Sequence, residues 1–331
     1  MTKNSVIDIH AHYYPQAYLN AFADADGSFG AYYREEPKGP VIDVGPLHAG
    51  PLERKFIDLD LRLEAMDIQG VEVQALSLTQ PMVYWAGDQL SVKLSAIFND
   101  ALAQAHEHYP NRLFGLAMLP MQVPELAVME LERAATLPGI KGVYMATAIL
   151  DRELSDPIFF PVYERIADLG LAIFLHPLKV IGMENRLAKY FLANLLGNPF
   201  DTTIAAAQLV FGGVLDRFPN LTFVLPHAGG ALPYLAGRLH HGWKVRPECR
   251  HLEKGPQDYL RHFYYDTISH SPESLSFLVD RVGADRVLLG SDYCFDMGVD
   301  RPMHMIRSQE GLAQIDQDRI CGENARALLR L

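Results

Sequence analysis

Residues 6–12 read V-I-D-I-H-A-H, a run of strand-forming residues that sets Asp8, His10 and His12 at alternate positions near the N-terminus. Successive side chains of a strand point to opposite faces, so these three share one face while Ile7, Ile9 and Ala11 share the other. A half-exposed strand with both histidines in water accounts for the stretch taken alone. The rest of the chain supports a different reading.

Seven further runs of β-type residues follow, at 71–76, 113–119, 140–145, 171–176, 221–227, 263–267 and 287–292, and with 6–10 they make eight. Between them lie segments of helical period, such as Leu94, Ile97, Ala101, Leu102 and Ala105. Gly170 punctuates one helix before a strand, and Asp216-Arg217-Phe218-Pro219-Asn220 stops another. Alternating β and α units imply a parallel sheet, and eight of them within 331 residues predict a (β/α)8 TIM barrel, one α/β domain spanning 1–331. A doubly wound open sheet is the competing fold. Its usual nucleotide-binding form lacks support, because neither G-x-G-x-x-G nor G-x-x-x-x-G-K-[ST] follows the first strand. Residues 25–57 are rich in Gly and Pro without clear periodicity, which predicts a long lid-like insertion loop after the first strand.

On such a barrel the polar residues fall into register. His176 ends the fifth strand in F-L-H-P, His227 ends the sixth, and Asp292 ends the eighth in G-S-D-Y. Together with His10 and His12 they occupy C-terminal strand ends, the face on which barrel enzymes carry their active sites. Two imidazoles two residues apart on one strand face can reach a single divalent ion. A third histidine and a carboxylate from distant strands complete an N3O donor set suited to zinc, or to a harder ion such as manganese. Asp8 either orients a ligand or serves the barrel bottom structurally.

The formal charge of −11 argues against nucleic acid and anionic membrane surfaces as partners and favours small molecules. No apolar run approaches the roughly 18 residues of a membrane span. The first strand begins too early for a signal peptide, so the expected location is cytoplasmic. Cys249, Cys294 and Cys321 show no C-x-x-C spacing, which suggests neither a disulfide framework nor a thiolate metal site.

With these residues placed, the chain resembles the amidohydrolase superfamily, and within it the decarboxylase branch typified by 2-amino-3-carboxymuconate 6-semialdehyde decarboxylase. The resemblance covers nearly the whole chain: I-D-I-H-A-H at 7–12, A-M-L-P-M-Q-V-P-E-L-A-V at 117–128, F-L-H-P at 174–177, N-P-F-D-T-T-I-A at 198–205, F-G-G-V-L-D-R-F-P at 211–219, H-A-G-G-A-L-P-Y at 227–234, G-R-L-H-H-G at 237–242 and G-S-D-Y at 290–293. It implies a metal-dependent, non-oxidative decarboxylase of a small unsaturated or aromatic carboxylic acid. His10, His12, His176 and Asp292 become the ligands of one divalent ion, zinc first and manganese second, and His227 becomes the acid–base residue. Arg238 matches an arginine that the family donates to the carboxylate in the neighbouring subunit's site, which implies a homodimer. Two routes stay open: addition of the metal's water to an unsaturated acid with help from His227, or protonation of a ring by Asp292, with carbon dioxide lost in either case.

Departures from the family concern the substrate. Gly50 and Glu53 fall opposite the arginines that bind a second carboxylate, with Arg54 nearby as a substitute. Asn194 falls at the place of a pocket aromatic, and the usual D-Y-P-F is Asp292-Tyr293-Cys294-Phe295, with Phe295 assigned to the pocket and Cys294 to it or to buried packing. A different acid is therefore expected, an aromatic or unsaturated ring-cleavage product. The alternatives are a metal-dependent hydrolase or hydratase on the same scaffold and a non-catalytic relic that binds a ligand. His106 and His108 are read as helix-end residues, His240 and His241 as neighbours of a subunit interface, and His270 as a pocket-lining candidate.

Overall fold

The computed structural model describes residues 5–331. Eight parallel strands form one sheet in sequence order: β1 (Ile7–His12), β2 (Val73–Ser77), β3 (Leu113–Met118), β4 (Ile140–Ala146), β5 (Ala172–His176), β6 (Thr222–Leu225), β7 (Phe263–Asp266) and β8 (Val287–Leu288). Sequence neighbours that are also spatial neighbours, joined by helical crossovers, curl the sheet into a barrel. Backbone hydrogen bonds from Ile9 N to Leu289 O (3.0 Å), Asp292 N to His10 O (2.9 Å) and His12 N to Tyr293 O (2.6 Å) bring the last strand back to the first.

All eight predicted strands are present, and three details differ at the functional ends. The first strand runs on to His12 and is buried along its whole length, so neither of its faces meets water. The sixth ends at Leu225, because Pro226 cannot donate to the ladder, and His227 falls on a 3-10 turn. The eighth leaves the ladder after Leu288, and Asp292 has a left-handed φ of 57°, which no strand residue adopts.

The outer helices show the expected periodicity. Along Asp88–His108 the side chains of Leu94, Phe98, Ala101, Leu102 and Ala105 are buried. Gly170, at φ 61°, closes Phe160–Leu169 in a left-handed cap that costs a glycine little. No helix among the described residues is long and apolar enough to cross a membrane.

The expected loop at 25–57 is instead an antiparallel three-stranded meander, Ala31–Glu36, Gly39–Val44 and Leu47–Ala49. Ala31, Ile42, Val44, Leu47, Ala49 and Leu52 are buried beneath it. The two strands of six residues do not alternate regularly between buried and exposed positions and the third has only three residues, with tight turns at 37–38 and 45–46 between them, so no period-2 pattern emerges from the Gly and Pro content. The meander borders a cavity of about 310 Å³ with Tyr84, Trp85, Thr147 and Lys179 at the barrel mouth.

Candidate metal centre and active site

Strand ends carry every group of the centre. His10 and His12 come from β1, His176 from the end of β5, and Asp292 from the segment after β8; one ligand atom of each lies within 4.8 Å of all the others, and all four residues are buried. The His10, His12 and His176 rings meet edge to face at centroid separations of 5.0–5.4 Å.

Hydrogen bonding decides which ring nitrogens face inward. His10 donates from Nδ1 to Asp266 Oδ2 (2.8 Å), and His176 donates from Nδ1 to the Pro177 carbonyl (2.7 Å). Ser77 Oγ gives its proton to the Ala11 carbonyl (3.1 Å) and so accepts from His12 Nδ1 (3.1 Å). With each Nδ1 protonated, the three Nε2 atoms are bare lone pairs, the form in which imidazole binds a metal. His10 Nε2 is buried without a hydrogen-bond partner. His12 Nε2 stands 2.9 Å and His10 Nε2 3.6 Å from Asp292 Oδ1. Lone pairs pressed on a carboxylate oxygen at that range need a cation among them. A divalent ion with an N3O donor set meets the requirement, so the residues present fit the group.

At His12 and His176 the electrostatics agree. Burial pushes His12 down to about 4 and, with the fields of His12 and His10, holds His176 well below the usual imidazole range. His227 is lowered by burial and by His10. Burial alone would raise Asp292, but the imidazoles gathered about it, His12 and His10 foremost, outweigh burial and hold it below the usual carboxylate range. His10 alone is raised: burial opposes its charge, and Asp266 and Asp292 outweigh burial.

His227 stands on the turn after β6, with its ring centroid 5.4 Å from His10 and its Nδ1 unpartnered. Asp266 secures that turn: its oxygens accept the backbone N–H groups of His227 (3.0 Å), Ala228 (2.8 Å) and Ile268 (3.0 Å) while also holding His10. Two glycines finish the turn, and a Cβ on Gly230 would lie 2.0 Å from the Pro199 carbonyl oxygen. The sequence reading passed over Asp266, although F-Y-Y-D ends the seventh strand in the same way that F-L-H ends the fifth. A carboxylate at a barrel strand's C-terminal end was the available signal.

A cavity of about 670 Å³ opens over His227 and Asp292, lined also by Asn194, Ile268, His270 and Met297. Among the described residues no lysine or arginine lines it, whereas Asp292 and Glu273 do. Phe295 lies beside the metal ligands, its ring 5.4 Å from His12 and 5.1 Å from Phe56. Arg54 is not in the cavity: its side chain is 78% exposed and pairs with Asp58 at 2.6 Å, one helical turn on. Arg238 is exposed on the helix Leu232–Val245, makes no ion pair among the described residues and does not line its own chain's cavity. Cys294 is buried and packs against the Lys55 carbonyl (3.3 Å) rather than the cavity, and burial pushes its thiol up to about 12. His106 and His108 bond to main-chain carbonyls at the end of Asp88–His108.

The family model for amidohydrolases matches residues 7–331. The 2-amino-3-carboxymuconate-6-semialdehyde decarboxylase of Dictyostelium discoideum is 35% identical over 277 residues, covering 83% of this chain and 77% of its own. In apo form, Metarhizium anisopliae IDCase superposes with a TM-score of 0.88 at 26% identity, covering 100% of this chain and 99% of that one. A dihydroxybenzoic acid decarboxylase from Polaromonas sp., solved with bound manganese and 2-nitroresorcinol, gives a TM-score of 0.82 at 25% identity, covering 99% and 97%. A match over almost the whole length, on a barrel whose strand ends gather three histidines and an aspartate, means that the chain belongs to the amidohydrolase family.

Proposed function

We propose that the protein is a metal-dependent, non-oxidative decarboxylase of a small unsaturated or aromatic carboxylic acid, with His10, His12, His176 and Asp292 as ligands of one divalent ion. The observation that carries this reading is the meeting of three imidazoles with Asp292, which itself lines a 670 Å³ cavity. Zinc is the first expectation for that donor set and manganese, which the Polaromonas relative holds, the second. When bound, the ion supplies a Lewis acid for the substrate's oxygens. Breaking the bond to the carboxylate leaves an electron pair on carbon, and a proton has to reach that atom. Asp292 and His227 both border the cavity. His227, held neutral by burial, takes up a proton at its ring nitrogen and returns it, and Asp292, ionised at rest, passes a proton to the carbon only after accepting one from an acidic group of the substrate. Asn194 and Phe295 shape the space beside them.

The cavity has no cation of its own for a carboxylate, which supports donation of Arg238 from a second copy in a homodimer. Leu195, Tyr234 and Phe277 edge the same cavity and stay exposed, and Tyr190 and Phe191 precede Asn194 with their rings exposed as well. Apolar side chains gathered around an active-site mouth mark a surface that a partner covers. With Arg54 turned away and Gly50 and Glu53 replacing the family's arginines, the substrate is a different acid from 2-amino-3-carboxymuconate 6-semialdehyde. Turnover of that compound at the rate of its own decarboxylase would overturn this part.

The test is metal analysis of the wild type and of the His10→Ala/His12→Ala variant, together with carbon dioxide release from a panel of phenolic and muconic acids. The expected result is a stoichiometric divalent metal and carbon dioxide release, both lost in the variant. Metal with hydrolysis or hydration but no carbon dioxide would replace the decarboxylase by the hydrolase or hydratase reading. Absence of metal from the wild type would overturn both.

A further inference from the structure

Arg62, on the helix Leu59–Gln69, is fully buried. No carboxylate lies within ion-pair distance of it among the described residues, an expensive way to keep a guanidinium inside a protein. Its contacts all lead toward the metal centre. Nη2 donates to the carbonyl oxygen of His12, and the guanidinium lies over the Tyr293 ring at 5.0 Å and beside Cys294 Sγ at 3.9 Å. Nη1 donates to Gln74 Oε1 (3.0 Å), and the same amide donates from Nε2 to Asp8 Oδ2 (2.9 Å). Accepting from an arginine and donating to a carboxylate, Gln74 has only one amide orientation. It therefore joins a buried positive group to a buried negative one across the barrel interior.

Asp8 completes the connection. Its Oδ1 accepts the backbone N–H groups of His10 (3.1 Å) and Ser291 (3.0 Å), and Oδ2 accepts the Ser291 hydroxyl (2.6 Å). The chain Arg62–Gln74–Asp8–Ser291 thus touches the main chain of both β1 ligands and the residues on either side of Asp292. Asp292 has a left-handed φ, which persists only where its surroundings over-determine it.

We infer that Arg62, bridged to Asp8 by Gln74, is a positioning residue that sets the spacing between the β1 histidines and Asp292. This rests on the reading of those residues as a metal centre. An apolar side chain of similar size would fill the same space and, since Arg62 has no carboxylate partner, would leave no charge unpaired; the cost is a lost donor to Gln74 Oε1 and to the His12 carbonyl, which thermal unfolding reads apart from the metal's spectrum. Stability and site geometry therefore separate in the experiment.

Arg62→Met and Arg62→Lys proteins, stripped of metal, are titrated with cobalt(II), following its visible absorption and its affinity beside far-ultraviolet circular dichroism and thermal unfolding. Arg62→Met is expected to keep the wild-type fold, to bind cobalt ~10-fold or more weakly, as loss of an outer support typically costs, and to show a shifted visible band. Arg62→Lys is expected to recover part of the band, since lysine can still donate to the His12 carbonyl. A folded Arg62→Met protein with the wild-type band and affinity overturns the inference. Should Arg62→Met fail to fold, Gln74→Met carries the test: it cuts the bridge to Asp8 and leaves Arg62 on His12, and a wild-type band there is equally fatal. A wild type that binds no cobalt overturns the metal-centre reading instead, before any variant is compared.

Discussion

The barrel floor and the wall of the cavity above it are built differently. At the floor, His10, His12, His176 and Asp292 project from strand ends whose backbones are bonded to one another, and each imidazole Nδ1 has a fixed partner. On the wall, Asn194 comes from a π-helical turn and Met297 from the segment beyond β8, while the two arginines that would meet a carboxylate, Arg54 and Arg238, both point elsewhere. The floor's four ligands all come from one chain, whereas no lysine or arginine among the described residues lines the wall. Chemistry that must be held to a fraction of an ångström sits on the rigid part, and the cavity wall above it is built from loops and helix ends.

The floor half of the contrast breaks most easily at Asp266, which has no substrate-facing role. Asparagine there keeps one acceptor and turns an amide NH2 either toward His10 Nδ1 or toward the N–H groups of Ala228 and Ile268, so one set of donors loses its acceptor. Asp266→Asn is expected to lower metal affinity by ~10–100-fold with the fold retained, measured by competition with a chelator. Wild-type affinity would mean that the strand ends alone hold the ligands, without support behind them.

The same contrast explains what was legible in the sequence. H-x-H, F-L-H-P and G-S-D-Y could be read because barrel periodicity puts each at a strand end, and strand ends converge. All eight strands followed from that alternation. The backbone at His227 and Asp292 was not legible: both lie past the end of a ladder at positive φ, held there by Asp266 and by the Asp8 network, which join residues 39 to 283 positions apart in sequence. Asp266 itself looked like an ordinary strand terminus. The meander at 31–49 was hidden by its turns, and the position of Arg54 depends on an ion pair with Asp58 that spacing alone does not distinguish from a pocket-facing orientation.

The wall half is sharpened at Arg238. If a second copy supplies the missing cation, Arg238→Ala raises KM for the acid about 10-fold, the loss of a hydrogen bond to a charged group, with a smaller change in kcat. Mixing the inactive His227→Ala protein with Arg238→Ala then restores activity, because a mixed dimer of twofold symmetry holds one site with both residues intact. Up to about a quarter of the wild-type rate is expected once subunits have exchanged at random, read at acid concentrations well below KM, where Arg238→Ala alone keeps about a tenth. A mixture no faster than its components at equal concentration would place the carboxylate-binding group within a single chain.

Arg54 is the remaining candidate for such a group, and the smallest effect is expected there. Its guanidinium is 78% exposed and engaged with Asp58, an exposed pair worth at most ~1 kcal/mol. To reach the cavity it would have to give up that partner. Asp58 also caps the helix that starts at Leu59, accepting from the N–H groups of Asp60 (3.0 Å) and Leu61 (3.2 Å), so the carboxylate is held in place whether or not the arginine stays. Arg54→Ala is therefore expected to leave KM and kcat within about twofold, consistent with the small value of an exposed pair. A rise in KM as large as that for Arg238→Ala would show that the 50–58 segment swings over the mouth when the acid binds. The cation missing from the cavity wall would then come from the chain's own insertion, and the wall, like the floor, would be complete within one subunit.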